Sequence, residues 1–281
     1  LRAHLRDKFA SGFELVDGTA RLAAMNLLLH GVGTADGDSL IEVRDALIAD
    51  PGERWSVVLS NPPFGTSSSV PVERQDFVVT TSNKQLNFVQ HIMTILDING
   101  RAAVVLPDNV LFEGGAGETI RKNLLERTNL HTILRLPTGI FYAQGVKANV
   151  IFFDNKPAAK TPWTKKLWIY DFRTNVHMTL KTNRLKKGDF EEFIRLYKPD
   201  DIKKRKATWD GKNSEGRWRS YSYKEIAARD KTNLDIFWLK DDSLEDTENL
   251  PAPEILAAEI VEQLEAALTE FRSVEEVLSG E

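Results

Sequence analysis

Residues 55–65 read WSVVLSNPPFG, an apolar run that stops at an Asn-Pro-Pro-Phe turn. The run predicts a buried β-strand, and the turn is expected to be stiff because each proline fixes its own φ and lacks an N–H. Asn61 supplies an oxygen that can accept a hydrogen bond, and Phe64 supplies a flat face for stacking. The turn can therefore hold a planar amino group, either of a base or of an amide. An ordinary strand-to-loop turn with a core phenylalanine is the alternative.

Helical and strand patterns alternate on both sides of this turn. Helices are predicted over residues 18–30, 84–97 and 117–127, and further strands over residues 102–106, 132–136 and 149–153. Asp17 is expected to cap the first of these helices. The alternation predicts an α/β fold whose sheet is wound with parallel crossovers. Ligands of such sheets bind at the carboxyl ends of strands, which is where residues 61–64 would lie.

Two acidic residues are further candidates for this site. Glu14 follows Gly-Phe just before the first helix, where a carboxylate at a strand end can accept both hydroxyls of a ribose. Asp38 lies in a Gly-Asp-Ser turn after that helix, where it could accept from an adenine amino group. Each of them could equally be a cap or turn residue.

Composition restricts the chemistry. The 281 residues carry a net charge of −4 and contain no cysteine, which excludes disulfides, thiolate metal sites and thiol nucleophiles and fits a cytoplasmic protein. The absence of cysteine also excludes one reaction at the Asn-Pro-Pro-Phe turn: methylation of a cytosine ring carbon, which needs a covalent nucleophile, usually a thiolate. Transfer of a methyl group to an exocyclic nitrogen needs no such nucleophile. No apolar run approaches the roughly 20 residues of a membrane span, so no membrane partner is expected. No metal site is predicted.

Charge is unevenly distributed along the chain. Lys and Arg exceed Asp and Glu in residues 160–240, whereas residues 241–281 are strongly acidic. Contact with nucleic-acid phosphates is one interpretation of the basic segment, which includes the run Lys203–Lys206 and the stretch Arg217–Arg219. A solvated, loop-rich surface is the other, and for residues 203–206 alone it is the favoured one.

Several segments, taken together, resemble one known family. They are residues 13–19 (FELVDGT), 26–31 (NLLLHG), 61–65 (NPPFG), 81–86 (TSNKQL), 105–115 (VLPDNVLFEGG), 136–145 (LPTGIFYAQG), 171–175 (DFRTN) and 234–241 (LDIFWLKD). In order and spacing these segments are similar to the modification subunit of type I restriction-modification systems.

The resemblance implies a Rossmann-like, S-adenosylmethionine-dependent methyltransferase sheet and methylation of adenine N6 in DNA. The catalytic residues would be Asn61, Pro62, Pro63 and Phe64. The adenine would be flipped out of the duplex and stacked on Phe64, while the Asn61 side chain and the Pro62 carbonyl accept from N6. Glu14 would hold the cofactor ribose.

The same resemblance predicts an incomplete site. The family's Gly-rich cofactor turn and its N-terminal helical domain lie upstream of the strand that carries Glu14, and neither is found in these 281 residues. The sheet should therefore lack a strand between those of Glu14 and Asn61, and the chain alone is expected not to methylate DNA. A truncated, non-catalytic assembly module is one alternative. A methyltransferase acting on RNA guanine or protein glutamine is the other.

Three domains are predicted: residues 1–158, the C-terminal portion of the catalytic domain; residues 159–250, a basic, loop-rich extension; and residues 251–281, a partner-binding helix. Apolar residues from Leu256 to Leu278, spaced by three or four, favour packing on a helical partner, although the helix could instead dock on its own domain. The resemblance implies as partners DNA, a specificity subunit, a restriction subunit and a second modification subunit.

Overall fold

The structure is a computed structural model that describes residues 4, 6, 8–34, 37–64, 71–141, 145–242 and 261. The chain divides into two compact units, Leu1–Trp238 and Leu239–Glu281. The architecture that follows is that of the first unit. The helix predicted from residue 252 onward falls, apart from Val261, outside the described residues.

The first unit alternates strands and helices. The strands are β1 (Gly12–Glu14), β2 (Ile41–Val43), β3 (Trp55–Ser60), β4 (Leu96–Pro107), β5 (Thr128–Arg135), β6 (Ala148–Asn155), β7 (Lys166–Asp171) and β8 (Trp218–Ser222). The α-helices are α1 (Asp17–Leu29), α2 (Lys84–Ile95), α3 (Asn109–Phe112), α4 (Ala116–Arg127), α5 (Glu191–Tyr197) and α6 (Tyr223–Ala227). Short 3₁₀ turns occupy Lys187–Phe190, Ile202–Lys204 and Asp230–Thr232.

Six strands form the main sheet in the order β3-β4-β6-β5-β7-β8. The β3–β4 and β5–β7 pairs are parallel, whereas β6 runs antiparallel to both of its neighbours and β8 runs antiparallel to β7. The α/β class is thus confirmed, but the expectation of parallel crossovers throughout is wrong. The described part of the loop between β5 and β6 contains no helix, so β6 returns beside β5 as the second arm of a hairpin.

Apolar residues cover both faces of this sheet. Alternate residues of β7 divide between two clusters, because successive side chains of a strand point to opposite faces. One face packs against α2 and α4, with Leu86 and Ile120 buried in the cluster. On the other face Trp168 stacks on Trp218, with ring centroids 5.2 Å apart, and Phe193 of α5 packs edge-on against Trp218.

Strands β1 and β2 form a separate, parallel two-stranded sheet. Among the described residues it is joined to β3 by side chains: Trp55 Nε1 donates to Ser11 Oγ at 2.7 Å, and the Trp55 ring packs edge-on against Phe13. A cavity of about 200 Å³ lies between β1 and β3 and is lined by residues of both. The sheet is therefore discontinuous at the place where the sequence analysis expected a strand to be missing.

Helix α1 differs from its prediction at its N-terminal cap. Asp17 lies inside the first turn, and Val16 occupies the cap position without a side-chain hydrogen bond, so the predicted Asp17 cap is wrong. Its apolar residues Leu22, Met25 and Leu29 are exposed. By contrast, Asn83 caps α2 by accepting a hydrogen bond from the Leu86 amide.

The segment expected to be a loop-rich extension contributes structure to the main sheet. β7 and β8 lengthen that sheet by two strands. The first compact unit ends at Trp238. The domain boundary predicted after residue 158 stays a prediction. None of the helices in the described part of the chain is long and apolar enough to cross a membrane.

Candidate active site at the carboxyl edge of the sheet

The Asn-Pro-Pro-Phe turn leaves the main sheet at the carboxyl end of β3. Ser60, the last residue of β3, pairs with Val104 of the parallel strand β4, so Asn61 and the end of β4 reach the same edge of the sheet. Asn61 is exposed, Pro62 is buried and Phe64 is half-buried. A polar side chain thus faces solvent at a strand end, while the turn behind it is anchored in the protein.

Phe64 packs against a second aromatic ring that the sequence analysis did not identify. Its ring lies edge-on to that of Phe141, with centroids 5.2 Å apart and an angle of 70° between the ring planes. Phe141 lies in the loop between β5 and β6, whose two ends are at the same edge of the sheet as Asn61. An aromatic residue just after the Thr-Gly turn at 138–139 was the signal in the sequence. Two aromatic rings in contact therefore lie at this edge of the sheet.

Glycine at position 139 fixes the loop that carries Phe141. Its φ of +81° lies in the left-handed region, and a Cβ there would collide with the backbone carbonyl of Met178. The Met178 amide donates to the Thr138 carbonyl at 3.2 Å, so the two backbones are in direct contact. The close approach requires glycine and holds the first part of the loop against residues 177–178.

A buried ion pair lies at the ends of the neighbouring strands. Arg173 binds Asp108 through two hydrogen bonds of 2.6 and 2.9 Å, and Asn149 Nδ2 donates to Asp108 Oδ1 at 2.7 Å. Burial would raise the pKa of Asp108, but the hydrogen bonds and charge of Arg173, helped by Asn149, outweigh it and hold that pKa below its usual value. Asp108 is therefore ionised at neutral pH.

The two predicted cofactor carboxylates lie at opposite ends of the small sheet. Glu14 ends β1, and its Oε1 accepts from the Val16 amide at 2.9 Å. Asp38 precedes β2, and because β1 and β2 are parallel with Gly12 opposite Ile41, Asp38 lies at the amino edge and is exposed. The structure does not bring Asp38 together with Glu14.

Asp45, which the sequence analysis did not consider, lies at the carboxyl edge instead. It follows β2 by two residues, on the edge where Glu14 ends β1, and its Oδ1 accepts from the Leu47 amide at 2.8 Å. The three-residue strand Ile41–Val43 is too short to be recognised from periodicity, so its end could not be located from the sequence.

Several basic residues proposed for phosphate contact have structural roles. Trp218 is fully buried, and Arg217 Nη1 donates to the carbonyls of Asp171 and Thr174. Arg205 is only 5% exposed and donates to Thr132 Oγ1 at 2.9 Å. For Arg205 both the phosphate interpretation and the favoured interpretation of a solvated surface are wrong, because the side chain is buried in the protein. For Arg217 the structure accounts for one nitrogen, Nη1, and the phosphate interpretation stays a prediction. Arg219 covers the ring of Trp209.

The described residues hold no group of three or more His, Asp or Glu side chains placed to bind a metal ion. In the described part of the chain, the carboxyl edge carries amide, carboxylate, guanidinium and aromatic groups.

Comparison with known proteins gives a consistent result. Residues 2–238 match the N-6 DNA Methylase family. The chain is 42% identical to the type I restriction enzyme EcoKI methylase subunit of Escherichia coli K12 over 289 residues, which cover 92% of this chain and 54% of the relative. It is equally similar, at 42% identity, to the StySJI methylase subunit of Salmonella typhimurium. The chain thus spans about half the length of these relatives.

Solved structures agree with the sequence matches. The crystal structure of the EcoKI M protein superposes with a TM-score of 0.73 at 39% identity, covering 97% of this chain and 60% of that protein. A modification subunit of a type I restriction enzyme from Vibrio vulnificus superposes with a TM-score of 0.63 at 28% identity, covering 80% of this chain and 46% of that one. On the family match over most of its length, the chain belongs to the N-6 DNA methylase family.

Proposed function

We propose that this chain is the C-terminal part of the modification subunit of a type I restriction-modification system, which methylates adenine N6 in DNA. The observation that carries the proposal is the Asn-Pro-Pro-Phe turn at the carboxyl end of β3, with Phe64 packed against Phe141. The turn combines an exposed amide side chain with aromatic surface at a strand end, which are the features needed to hold a planar base by its amino group.

Each residue of the turn has a distinct proposed role. The Asn61 side-chain oxygen and the Pro62 carbonyl accept hydrogen bonds from the two N6 hydrogens of an adenine that has left the duplex. Phe64 stacks on the extruded ring, and Phe141 supports Phe64 from its edge. Pro62 and Pro63 keep the turn rigid, so both acceptors are in position before the base arrives.

This arrangement serves nitrogen methylation without a covalent enzyme intermediate. With both N6 hydrogens held by these acceptors, the lone pair of N6 is left free to attack a methyl group. S-Adenosylmethionine, when bound, would supply that methyl group: the bond from N6 to the methyl carbon would form as the carbon–sulfur bond broke, and the proton released from N6 would pass to water. Asn61 contributes by orienting the nitrogen and by stabilising its developing positive charge, because its oxygen is a fixed dipole at the reacting centre.

The residues present fit part of an S-adenosylmethionine site. Glu14 and Asp45 end parallel strands at one edge, and each carboxylate has an oxygen beyond the one that accepts from the backbone. We assign the ribose hydroxyls to Glu14 and the adenine amino group to Asp45, in preference to Asp38 at the opposite edge. The cofactor, when bound, supplies an electrophilic methyl group on a sulfonium.

The partners follow from the same proposal. Sequence recognition would belong to a specificity subunit, with DNA, a restriction subunit and a second modification subunit completing the assembly. The Escherichia and Salmonella relatives are methylase subunits of type I restriction enzymes, which supports membership in such an assembly. The absence of cysteine is in keeping with a cytoplasmic location.

Two alternatives make different predictions. A methyltransferase acting on RNA guanine or protein glutamine would use the same turn on another amide-like nitrogen and would leave adenine in DNA unmodified. A non-catalytic assembly module would retain its partners but would not depend on Asn61 or Phe64. The exposed Asn61 side chain favours the enzyme, because an assembly module does not require a free hydrogen-bond acceptor at this edge.

The test uses the assembled methyltransferase that contains this chain, with N6-methyladenine in a target duplex as the readout. Phe64→Ala should lower the rate about 10- to 100-fold, since stacking of a base on an aromatic ring contributes about 1–3 kcal/mol. Asn61→Ala should reduce the rate at least as much. Phe112→Ala removes an exposed phenylalanine at the end of α3 and serves as the control for loss of an aromatic ring.

Loss of methylation in both turn variants, with the control active, supports the proposal. An active wild-type assembly whose rate is unchanged by either turn variant would refute the assigned roles. Methylation of RNA or of a glutamine peptide, with none on DNA, would favour the first alternative.

A further inference from the structure

We infer that Arg173 is the positioning residue that holds the Phe141 loop against the base-binding turn. The inference rests on the proposed function, because it assigns to Arg173 the position of Phe141 relative to Phe64. Arg173 lies on neither β3 nor the loop itself: it follows β7 by two residues. It acts through the backbone groups that it binds.

Arg173 ties together the two ends of the loop. Its Nε donates to the carbonyl of Leu136, where the loop leaves β5, at 2.9 Å. Its Nη2 donates to the carbonyl of Ala148, where the loop enters β6, at 2.7 Å. A single guanidinium therefore fixes both stems of the segment that carries Phe141.

The same guanidinium ties the loop to the end of the strand beside β3. Asp108, which receives two hydrogen bonds from Arg173, follows β4 directly, and β4 pairs with β3. The Asp108 amide also donates to the Lys147 carbonyl at 3.0 Å. Movement of the loop relative to β4, and hence relative to the turn at the end of β3, would break several of these bonds together.

The backbone of Arg173 is itself oriented. Asp171 Oδ1 accepts from the amides of Arg173 and Thr174 at 2.9 and 2.8 Å, which forms a tight turn at the end of β7. Arg217 then binds the carbonyls of Asp171 and Thr174 from the other side. The side chain of Arg173 is 9% exposed, so its position is set by the protein and not by solvent.

Arginine is required by the number and direction of these contacts. Its fork serves two carbonyls and both oxygens of Asp108 at once. A lysine in the same place keeps the positive charge but presents one ammonium at the end of a flexible stem, and it cannot reach all four acceptors. Arg173→Lys therefore removes the forked hydrogen bonds to these four acceptors while it keeps the positive charge.

The first experiment measures the position of Phe141 directly. 4-Fluorophenylalanine is placed at position 141, and the ¹⁹F resonance is compared between the wild-type chain and Arg173→Lys. Arg121→Lys is the matched control, because the buried Arg121 guanidinium likewise binds four acceptors, in this case four backbone carbonyls that include those of Val110 and Thr232. We expect a shifted or broadened signal in Arg173→Lys and an unchanged one in Arg121→Lys.

The second experiment measures base positioning in the assembled methyltransferase, with 2-aminopurine fluorescence at the target position and steady-state methylation as readouts. A displacement of about 1 Å at a reacting group can lower the reaction rate about 100-fold, so Arg173→Lys should lower kcat by about 10- to 100-fold. KM for DNA should change much less, because phosphate contacts are not altered. The 2-aminopurine signal should fall with kcat, and Arg121→Lys should retain both.

The outcomes separate this inference from the proposed function. An unchanged ¹⁹F signal in Arg173→Lys overturns the inference, as does an equal loss of kcat in Arg173→Lys and Arg121→Lys. A wild-type assembly that methylates no DNA overturns the proposed function, but the ¹⁹F comparison still decides whether Arg173 positions Phe141.

Discussion

His91 of α2 makes the stability of this protein dependent on pH in the mildly acidic range. The residue is 2% exposed, and its Nδ1 accepts a hydrogen bond from Arg74 Nη1 at 3.0 Å. A proton on Nδ1 would face the guanidinium directly. Burial, followed by the charge of Arg74, lowers the pKa of His91 from 6.5 to about 4, although Asp76 and Asp50 act in the opposite direction.

The sign and size of the effect follow from this pKa. The unfolded state gains a proton below pH 6.5, whereas the folded state does not until about pH 4, so stability falls as the pH falls through this window. Between about pH 7.5 and about pH 5 the difference amounts to a loss of about 2 kcal/mol. The depressed pKa of Asp108 adds a further loss, but only at more acidic pH.

Urea unfolding of the 281-residue chain at both pH values measures the effect. His91→Gln keeps an acceptor for Arg74 but does not titrate, so it should abolish most of the pH dependence. His30→Gln replaces an exposed histidine and should leave that dependence intact. If His91→Gln and the wild type lose equal stability between the two pH values, the reasoning from burial and Arg74 is refuted.

Three further predictions concern the packing of the first unit, each checked by urea unfolding. Gly139→Ala should lower the free energy of unfolding by more than about 2 kcal/mol, because the new side chain meets both a left-handed φ and a collision with Met178. An unchanged free energy of unfolding would mean that the loop does not approach residue 178. Trp218→Ala should lower the free energy of unfolding by about 3–5 kcal/mol, since the ring is fully buried, and a decrease below about 1 kcal/mol would contradict that burial. Arg205→Ala should lower the free energy of unfolding by about 3 kcal/mol, because Thr132 Oγ1 and the Tyr197 carbonyl both lose the Arg205 donor, while the salt dependence of DNA binding stays unchanged; a reduced salt slope would restore the phosphate interpretation.

The strands of the core and the position of the turn could be predicted because both depend on local signals. The apolar run before Asn61 ends where the two prolines remove donors, and β3 ends there in the structure. The predicted burial of this strand is wrong, because β3 lies at the edge of the sheet and its Val57 and Leu59 are exposed. The apolar periodicity of α2 likewise corresponds to a helix packed on the core. Local sequence patterns were sufficient to predict an element, such as α2, whose apolar face packs on the core of the first unit.

Features that depend on distant parts of the chain could not be predicted. The sequence gives Arg173 and Arg205 as basic residues, and only the fold shows that one binds the stems of a loop and the other lies in the core. Asp45 was missed because β2 has three residues, too few for a pattern. The predicted direction of β6 was wrong because the direction of a strand depends on the segment that connects it to the preceding strand and not on its own sequence.

Strand β3 has a consequence for the behaviour of the isolated chain. It forms one edge of the main sheet, and its sequence WSVVLS contains neither charge nor proline. Val57 and Leu59 are 47% and 79% exposed on it. Natural sheets protect such edges with charges, bulges or covering elements, because an uncovered apolar edge recruits strands from other molecules. Expressed by itself, the chain should therefore associate edge to edge as its concentration rises, and a lysine at position 59 should suppress that association.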